Sequence, residues 1–146
     1  MKSVIHSKYG PPKLLKIKSI EKPIPKDDEI IVKIKAITIN RTDCAILRAK
    51  PIIMRFVSGI IKPRNKTPGT DFAGEIEEVG NQIKKFKVKD KVFGFDDLGL
   101  KSHAEYLTIK ENKNVELMPK NTSYKHGYVM KDFLEKFVPK NNINQD

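Results

Sequence analysis

The sequence predicts a mainly β domain, a barrel or a sandwich, and three observations support this fold class. About seven short segments are rich in β-branched residues or alternate between apolar and polar positions. Turn residues separate these segments at short intervals, as in barrels and sandwiches. No strand leads into a G-x-G-x-x-G turn, so the βαβ unit of a dinucleotide-binding fold is not indicated. A length of 146 residues suits one such domain.

The first three predicted strands lie in the N-terminal third of the chain. Residues 2–7 form a short strand, and residues 14–20 alternate Leu15 and Ile17 with lysines, which is typical of a half-buried strand. The strongest pattern is at residues 29–39, where β-branched residues dominate.

A short helix follows the third strand. Asn40 or Thr42 can cap a helix near residues 42–49, because either side chain can accept a hydrogen bond from a free backbone N–H. Asp43 would then favour the helix N-terminus, where a negative charge meets the helix dipole. Pro51 ends the helix, and an apolar stretch follows at residues 52–61.

Four further strand regions are predicted at residues 71–79, 88–95, 103–109 and 115–118. The alternation along the strands predicts a core that contains Ile30, Val32, Ile34, Ile76, Val79, Val92 and Leu107.

Residues 125–146 have a different character and are left as an unassigned tail, so residues 1–124 form the predicted domain. Within the tail, Phe133, Leu134 and Phe137 have helical spacing.

The composition limits the classes of partner. The net charge is +11, but only four of the 29 basic residues are Arg, and the lysines alternate with apolar residues as on solvated strand faces. Nucleic acid is therefore a disfavoured partner. The single cysteine, Cys44, excludes an intramolecular disulfide and a structural zinc cluster. No apolar run is long enough to span a bilayer, so we expect a cytoplasmic protein with no membrane partner.

Residues 68–80 carry the most specific motif, Pro-Gly-Thr-Asp-Phe-Ala-Gly-Glu-Ile-Glu-Glu-Val-Gly. It resembles the L-G-x-[DE]-x-[AS]-G-x-V-x-x-V-G signature of the medium-chain dehydrogenase/reductase superfamily. Other motifs resemble that superfamily in the same order, at residues 8–15, 29–36, 38–43, 86–94, 103–106 and 118–124. Residues 54–66 resemble an insertion of its zinc-independent, quinone-oxidoreductase-like branch. The chain thus resembles the N-terminal, GroES-like catalytic domain of that branch.

The resemblance implies a fold and an activity. The fold would be a GroES-like, partly open β-barrel, and the activity would use NADPH or NADH to reduce a quinone or another small carbonyl compound. In that superfamily a Rossmann domain holds the nucleotide, and no part of this chain resembles one. We therefore expect the chain alone to be inactive, and to need a separate Rossmann-domain partner or a homo-oligomer.

The resemblance also indicates site residues. Zinc enzymes of the superfamily hold their metal with a Cys and a Gly-His-Glu, and these positions are Asn40 and Gly69-Thr70-Asp71 here. We expect no zinc, because Asn and Thr are poor ligands for it. Asn40, Thr70 and Asp71 are the catalytic candidates, and Asn40 and Arg41 are the cofactor-binding candidates. Ala45 stands where some zinc-independent relatives have a Tyr.

Each candidate also has a purely structural explanation. Asn40 can simply cap the helix, Thr70 and Asp71 can bond the loop to the strand, and Arg41 can be solvated. Two hypotheses for function therefore stay open: half of an oxidoreductase, or a non-catalytic remnant or small binding module that keeps the barrel. Nicotinamide-cofactor titration distinguishes them.

Overall fold

β-strands form most of the regular structure in the computed structural model, which describes residues 1–53, 55–56, 59–95 and 101–124. The predicted tail helix at residues 131–137 lies outside the described residues. The described elements are β1 (Lys2–Ile5), β2 (Lys16–Ser19), β3 (Glu29–Ala36), α1 (Arg41–Arg48), β4 (Asp71–Val79), β5 (Lys91–Phe95), β6 (Tyr106–Lys110) and β7 (Val115–Leu117). A 3-10 turn, Pro12–Leu14, precedes β2.

Two antiparallel sheets build the fold. The larger sheet has the strand order β6-β3-β4-β5-β7, and β1 pairs with β2 in a small separate sheet. Backbone hydrogen bonds join the two, since Val4 N–H donates to His103 O at 2.8 Å and Glu105 N–H donates to Lys2 O at 3.0 Å. Among the described residues the sheets do not close into a barrel. The predicted class, mainly β with a partly open GroES-like architecture, is confirmed.

The core lies on one face of the larger sheet. Alternate residues of β3 and β4 turn toward it, and hydrophobic side chains from β5, β6 and β7 complete the cluster of Ile30, Val32, Phe72, Ile76, Phe86, Val92, Leu107, Ile109 and Val115. Ile34 and Val79, which the sequence analysis also placed in the core, are partly buried and pack against this cluster. Ile31 has no exposed surface either, so the sheet is covered on both faces at this point.

The expectation of a half-buried β2 is wrong. All four of its residues are exposed, and Ile17 is 75% exposed. Alternation along a strand shows only that one face could be buried, whereas burial itself needs a second layer. β2 pairs with β1 alone and has no such layer over the side chain of Ile17.

The pairing of β3 with β4 brings distant segments to one end of the sheet. The strands are antiparallel, and a register shift lies where Ile34 pairs with Gly74 and Ala36 pairs with Ala73. Gly74 permits this approach, because an added Cβ there would lie 2.4 Å from Lys33 O. The chain that leaves β3 therefore passes beside Asp71, the first residue of β4.

The buried imidazole of His6 should make the free energy of unfolding depend on pH. Its side chain is 1% exposed, and burial lowers the pKa of its imidazole, which outweighs the backbone groups of Asn65 and Lys8 that raise it. Near pH 6 the unfolded chain then binds more protons than the folded chain, so stability falls as the pH drops below about 6.5.

We expect denaturant unfolding at pH 7.5 and pH 5.5 to show this loss, and His6→Gln to reduce the difference between the two pH values. The pKa values of Asp28 and Glu77 are also lowered, but these carboxylates lose their stabilising effect only as the pH falls into the carboxyl range and below. They therefore do not contribute to the difference between pH 7.5 and pH 5.5. An unchanged pH difference in His6→Gln would contradict the assignment.

Candidate functional site

Asn40 begins α1 with a reciprocal cap. Its Oδ1 accepts a hydrogen bond from Asp43 N–H at 3.0 Å, and Asp43 Oδ2 accepts one from Asn40 N–H at 3.0 Å. This arrangement is a capping box, which satisfies two backbone donors that a helix N-terminus leaves free. Of the two predicted caps, the structure therefore has Asn40 rather than Thr42. The helix ends at Ala49, whose φ of 49° lies in the left-handed region.

The loop before β4 presents Thr70 and Asp71 to this cap. Gly69 has a φ of 113°, and an added Cβ would lie 2.3 Å from Ser102 Oγ, so the loop passes very close to residues 102–103. His103 N–H donates to Pro68 O at 3.0 Å and fixes the same loop. Thr70 and Asp71 are both buried as a result.

The three predicted catalytic residues come together as a hydrogen-bonded group. Asn40 Nδ2 donates to Thr70 Oγ1 at 2.7 Å and to Asp71 Oδ2 at 3.1 Å. Thr70 Oγ1 in turn donates to Asp43 Oδ1 at 3.1 Å. Residues separated by about 30 positions in the chain thus share one network, as their positions in the superfamily motif implied.

Thr38 is a fifth member of the network, which the sequence analysis missed as a site residue. Its backbone N–H donates to Asp71 Oδ1 at 2.9 Å, and its hydroxyl donates to Asp71 Oδ2. The available signal was spacing, since Thr38 and Asn40 are two residues apart in an extended segment and can project to the same side.

The network leaves Asn40 with little hydrogen-bonding capacity to spare. Both hydrogens of its amide have acceptors in Thr70 and Asp71, and its oxygen caps the helix. Asp71 is 8% exposed and has three donors. In this arrangement the group holds the start of α1 against the start of β4, and Asn40, which is half-buried, forms its outer edge.

A groove of about 680 Å³ opens beside this edge. Asn40 and Arg41 both line it, together with Ile39, Thr42, Cys44, Ala45, Arg48, Lys50 and Pro51. Arg41 is exposed and does not take part in the network described above. Its position, next to Arg48 and Lys50, makes the groove electropositive and thus favourable to an anionic ligand.

The residues at this site do not suit a zinc ion. Asp71 is the only one of the three candidates with a side chain that zinc commonly takes as a ligand, and its oxygens already accept hydrogen bonds. Over the described ranges, no group of three His, Cys, Asp or Glu side chains could hold a metal ion. No helix in the same ranges is long and apolar enough to cross a membrane.

The profile of the alcohol dehydrogenase GroES-like domain matches residues 26–120, which contain the whole five-stranded sheet and the network. The chain belongs to this family. The resemblance drawn from the motifs is thereby confirmed.

Relatives of this GroES-like domain include named oxidoreductases. The quinone oxidoreductase of Sus scrofa is 31% identical over 125 residues, which are 82% of this chain and 34% of the relative. The 2-methylene-furan-3-one reductase of Solanum lycopersicum is 34% identical over 134 residues, which are 85% of this chain and 32% of the relative. The chain therefore spans about a third of the length of these relatives.

Solved structures share the fold of the GroES-like domain. The quinone oxidoreductase of Escherichia coli, complexed with NADPH, matches 87% of this chain and 36% of its own, with a TM-score of 0.70 and 25% identity. The quinone oxidoreductase of Coxiella burnetii matches 93% of this chain and 44% of its own, with a TM-score of 0.72 and 21% identity. The second likeness supports the fold alone.

Proposed function

We propose that this chain supplies the catalytic-domain part of a zinc-independent, NAD(P)H-dependent oxidoreductase that reduces a quinone or a small activated carbonyl compound. The observation that carries the proposal is the bonded group of Asn40, Thr70 and Asp71, of which Asn40 lines an open groove. The names of the relatives, quinone oxidoreductases and an enone reductase, support the substrate class. The proposal places the protein in the cytoplasm, where its free Cys44 would stay reduced.

The proposed enzyme needs a nucleotide-binding domain from another polypeptide segment or a partner chain. The sequence contains no glycine-rich turn between a strand and a helix N-terminus, which is the arrangement that holds a dinucleotide pyrophosphate. When bound, NADPH or NADH would supply the hydride. This chain would contribute the groove wall, with Asn40 beside the reacting groups and Arg41 toward a cofactor phosphate.

The network favours a role for Asn40 in positioning the loop and the helix. To donate a hydrogen bond to a substrate carbonyl, the Asn40 amide would first have to give up its bond to Thr70 or Asp71, because both amide hydrogens are in use. This observation also favours the second candidate, a non-catalytic binding module, in which the same hydrogen bonds only stabilise the loop. The two candidates differ in what happens when a nucleotide-binding partner is present.

Cofactor titration tests the proposal. The chain alone should show no saturable NADPH binding below about millimolar concentration at physiological ionic strength, and no quinone reduction, because weak attraction to lysines is screened by salt. A cognate nucleotide-binding partner should restore both. Asn40→Ala should then lower kcat more than it lowers cofactor affinity. Micromolar, salt-resistant NADPH binding by the chain alone would contradict the assignment of nucleotide binding to a separate domain. A partner that restores neither NADPH binding nor quinone reduction would favour the binding module.

Elemental analysis gives a second test, because Asn40, Thr70 and Asp71 replace the zinc ligand set. Purified protein should contain no stoichiometric zinc, and added chelator should not change its thermal unfolding. One tightly bound zinc per chain would contradict zinc independence. Asp71→Asn serves as the comparison, since it removes the one carboxylate of the three and should leave the metal content unchanged.

A further inference from the structure

The segment that follows α1 combines exposed apolar side chains with a one-sided charge. Five large apolar side chains within ten residues are mostly in contact with solvent: Ile52 (73% exposed), Ile53 (63%), Phe56 (69%), Ile60 (64%) and Ile61 (90%). Single exposed apolar residues are common on proteins, but a cluster of this kind marks an interaction site.

The charge of the same segment is entirely positive. Between Cys44 and Thr70 the sequence contains no Asp or Glu, although the chain as a whole has 18 of them. The six basic residues of that stretch are all exposed, and they are Arg48, Lys50, Arg55, Lys62, Arg64 and Lys66. We name the exposed side chains of residues 48–66, within the described ranges, the basic-apolar surface.

Backbone hydrogen bonds order the described part of this segment. Arg55 N–H donates to Ile52 O at 3.0 Å and Phe56 N–H donates to Ile53 O at 3.0 Å, so the chain coils upon itself here. It then turns sharply at Gly59, where an added Cβ would lie 2.2 Å from Lys62 O. Tyr9 anchors the turn to the domain, with its hydroxyl 2.7 Å from Gly59 O as donor. The described part of the segment is therefore fixed to the domain at Gly59.

We propose that the basic-apolar surface binds the surface of an anionic lipid bilayer. Such a bilayer offers negative headgroups to lysine and arginine and an apolar layer directly beneath them, which matches both properties of the patch. Nucleic acid would satisfy the positive charge but would leave five large apolar side chains without a partner. A two-fold contact with a second copy would place six cations against the same six, which like charges disfavour.

This inference does not rest on the proposed oxidoreductase activity, although Arg48 and Lys50 of the surface also line the groove beside Asn40. The expectation that no membrane is a partner rested on the lack of a spanning segment. Binding at the surface of a bilayer needs no spanning segment.

Vesicle sedimentation with the 146-residue chain tests the proposal. At physiological ionic strength the chain should bind vesicles of phosphatidylcholine containing about one-third phosphatidylserine, and should bind pure phosphatidylcholine vesicles at least about tenfold more weakly. The double variant Ile60→Ser/Ile61→Ser should lower the partition coefficient on anionic vesicles about tenfold or more. Lys62→Gln/Arg64→Gln should lower it similarly, through charge.

Matched controls distinguish binding by this surface from binding caused by the net positive charge or by exposed apolar residues elsewhere. Ile17→Ser/Ile24→Ser removes two exposed isoleucines elsewhere, and Lys84→Gln/Lys113→Gln removes two exposed positive charges elsewhere. Both controls should bind anionic vesicles within about twofold of the unmodified chain, and all variants should keep its thermal unfolding midpoint.

Three outcomes would overturn the proposal. The first is no binding to anionic vesicles, and the second is an equal loss of binding in the control variants, which would indicate nonspecific electrostatics. The third is a dimer in sedimentation velocity that Ile60→Ser/Ile61→Ser dissociates, which would assign the surface to a second copy of the chain.

Discussion

Replacing Ile76 by alanine should lower the free energy of unfolding by about 2–5 kcal/mol. Ile76 has no exposed surface and lies in the core cluster, on the strand between β5 and β3, where it pairs with Val32. The substitution removes buried methyl groups and leaves a cavity that a sheet covered on both faces closes poorly. Chemical denaturation followed by circular dichroism measures the loss.

Ile24→Ala provides the matched control, because Ile24 is 87% exposed. The same change in side chain there should alter stability by no more than about 0.5 kcal/mol. A similar loss in both variants, or a loss below about 1 kcal/mol for Ile76→Ala, would mean that the core is not where the structure places it.

Asp71→Ala should lower the free energy of unfolding by about 3 kcal/mol or more, because it removes the shared acceptor of the network. The Thr38 N–H, the Thr38 hydroxyl and the Asn40 amide all donate to this carboxylate, and its residue is buried. Without it, these donors lose their partners in a region that water reaches poorly. Asp71→Asn keeps one acceptor oxygen and should show a smaller loss.

Asp28→Ala is the matched control for charge. Asp28 forms an ion pair with Lys110 at 2.7 Å, but both side chains are 46% exposed. An exposed pair of this kind contributes at most about 1 kcal/mol. If Asp71→Ala were no more damaging than Asp28→Ala, the network would not hold the site together.

The sequence predicted the core of the larger sheet well, because its strands are buried on the face that alternation selects. Val32, Ile76 and Leu107 are all buried, as predicted. Burial of β2 could not be predicted in this way, because the alternation of Ile17 with lysines does not reveal whether another layer covers the strand. Ile31 shows the converse limit, since it is fully buried on the face expected to be polar.

The candidate site was also only partly predictable from the sequence. The cap at Asn40 follows from local chemistry, and the capping box with Asp43 could be anticipated from residues three positions apart. The meeting of Asn40 with Thr70 and Asp71 depends on how β3 pairs with β4, which no local pattern specifies. Only the resemblance to a known family indicated that these residues share a site. It gave no sign that the donors of Asn40 are all engaged within the network.

β3 lies between β6 and β4, which both follow it in the chain, and this limits the order in which the sheet can assemble during synthesis. Ile30 pairs with Val79 on one side and with Ile109 on the other. Its strand leaves the ribosome before both neighbours, and the second neighbour emerges only after most of the described domain has been made. Pairings over such long stretches of chain form slowly, because a large loop must close before any contact stabilises it. β3, with four β-branched apolar residues, thus keeps an unpaired edge until β6 has been made, and such an edge favours aggregation.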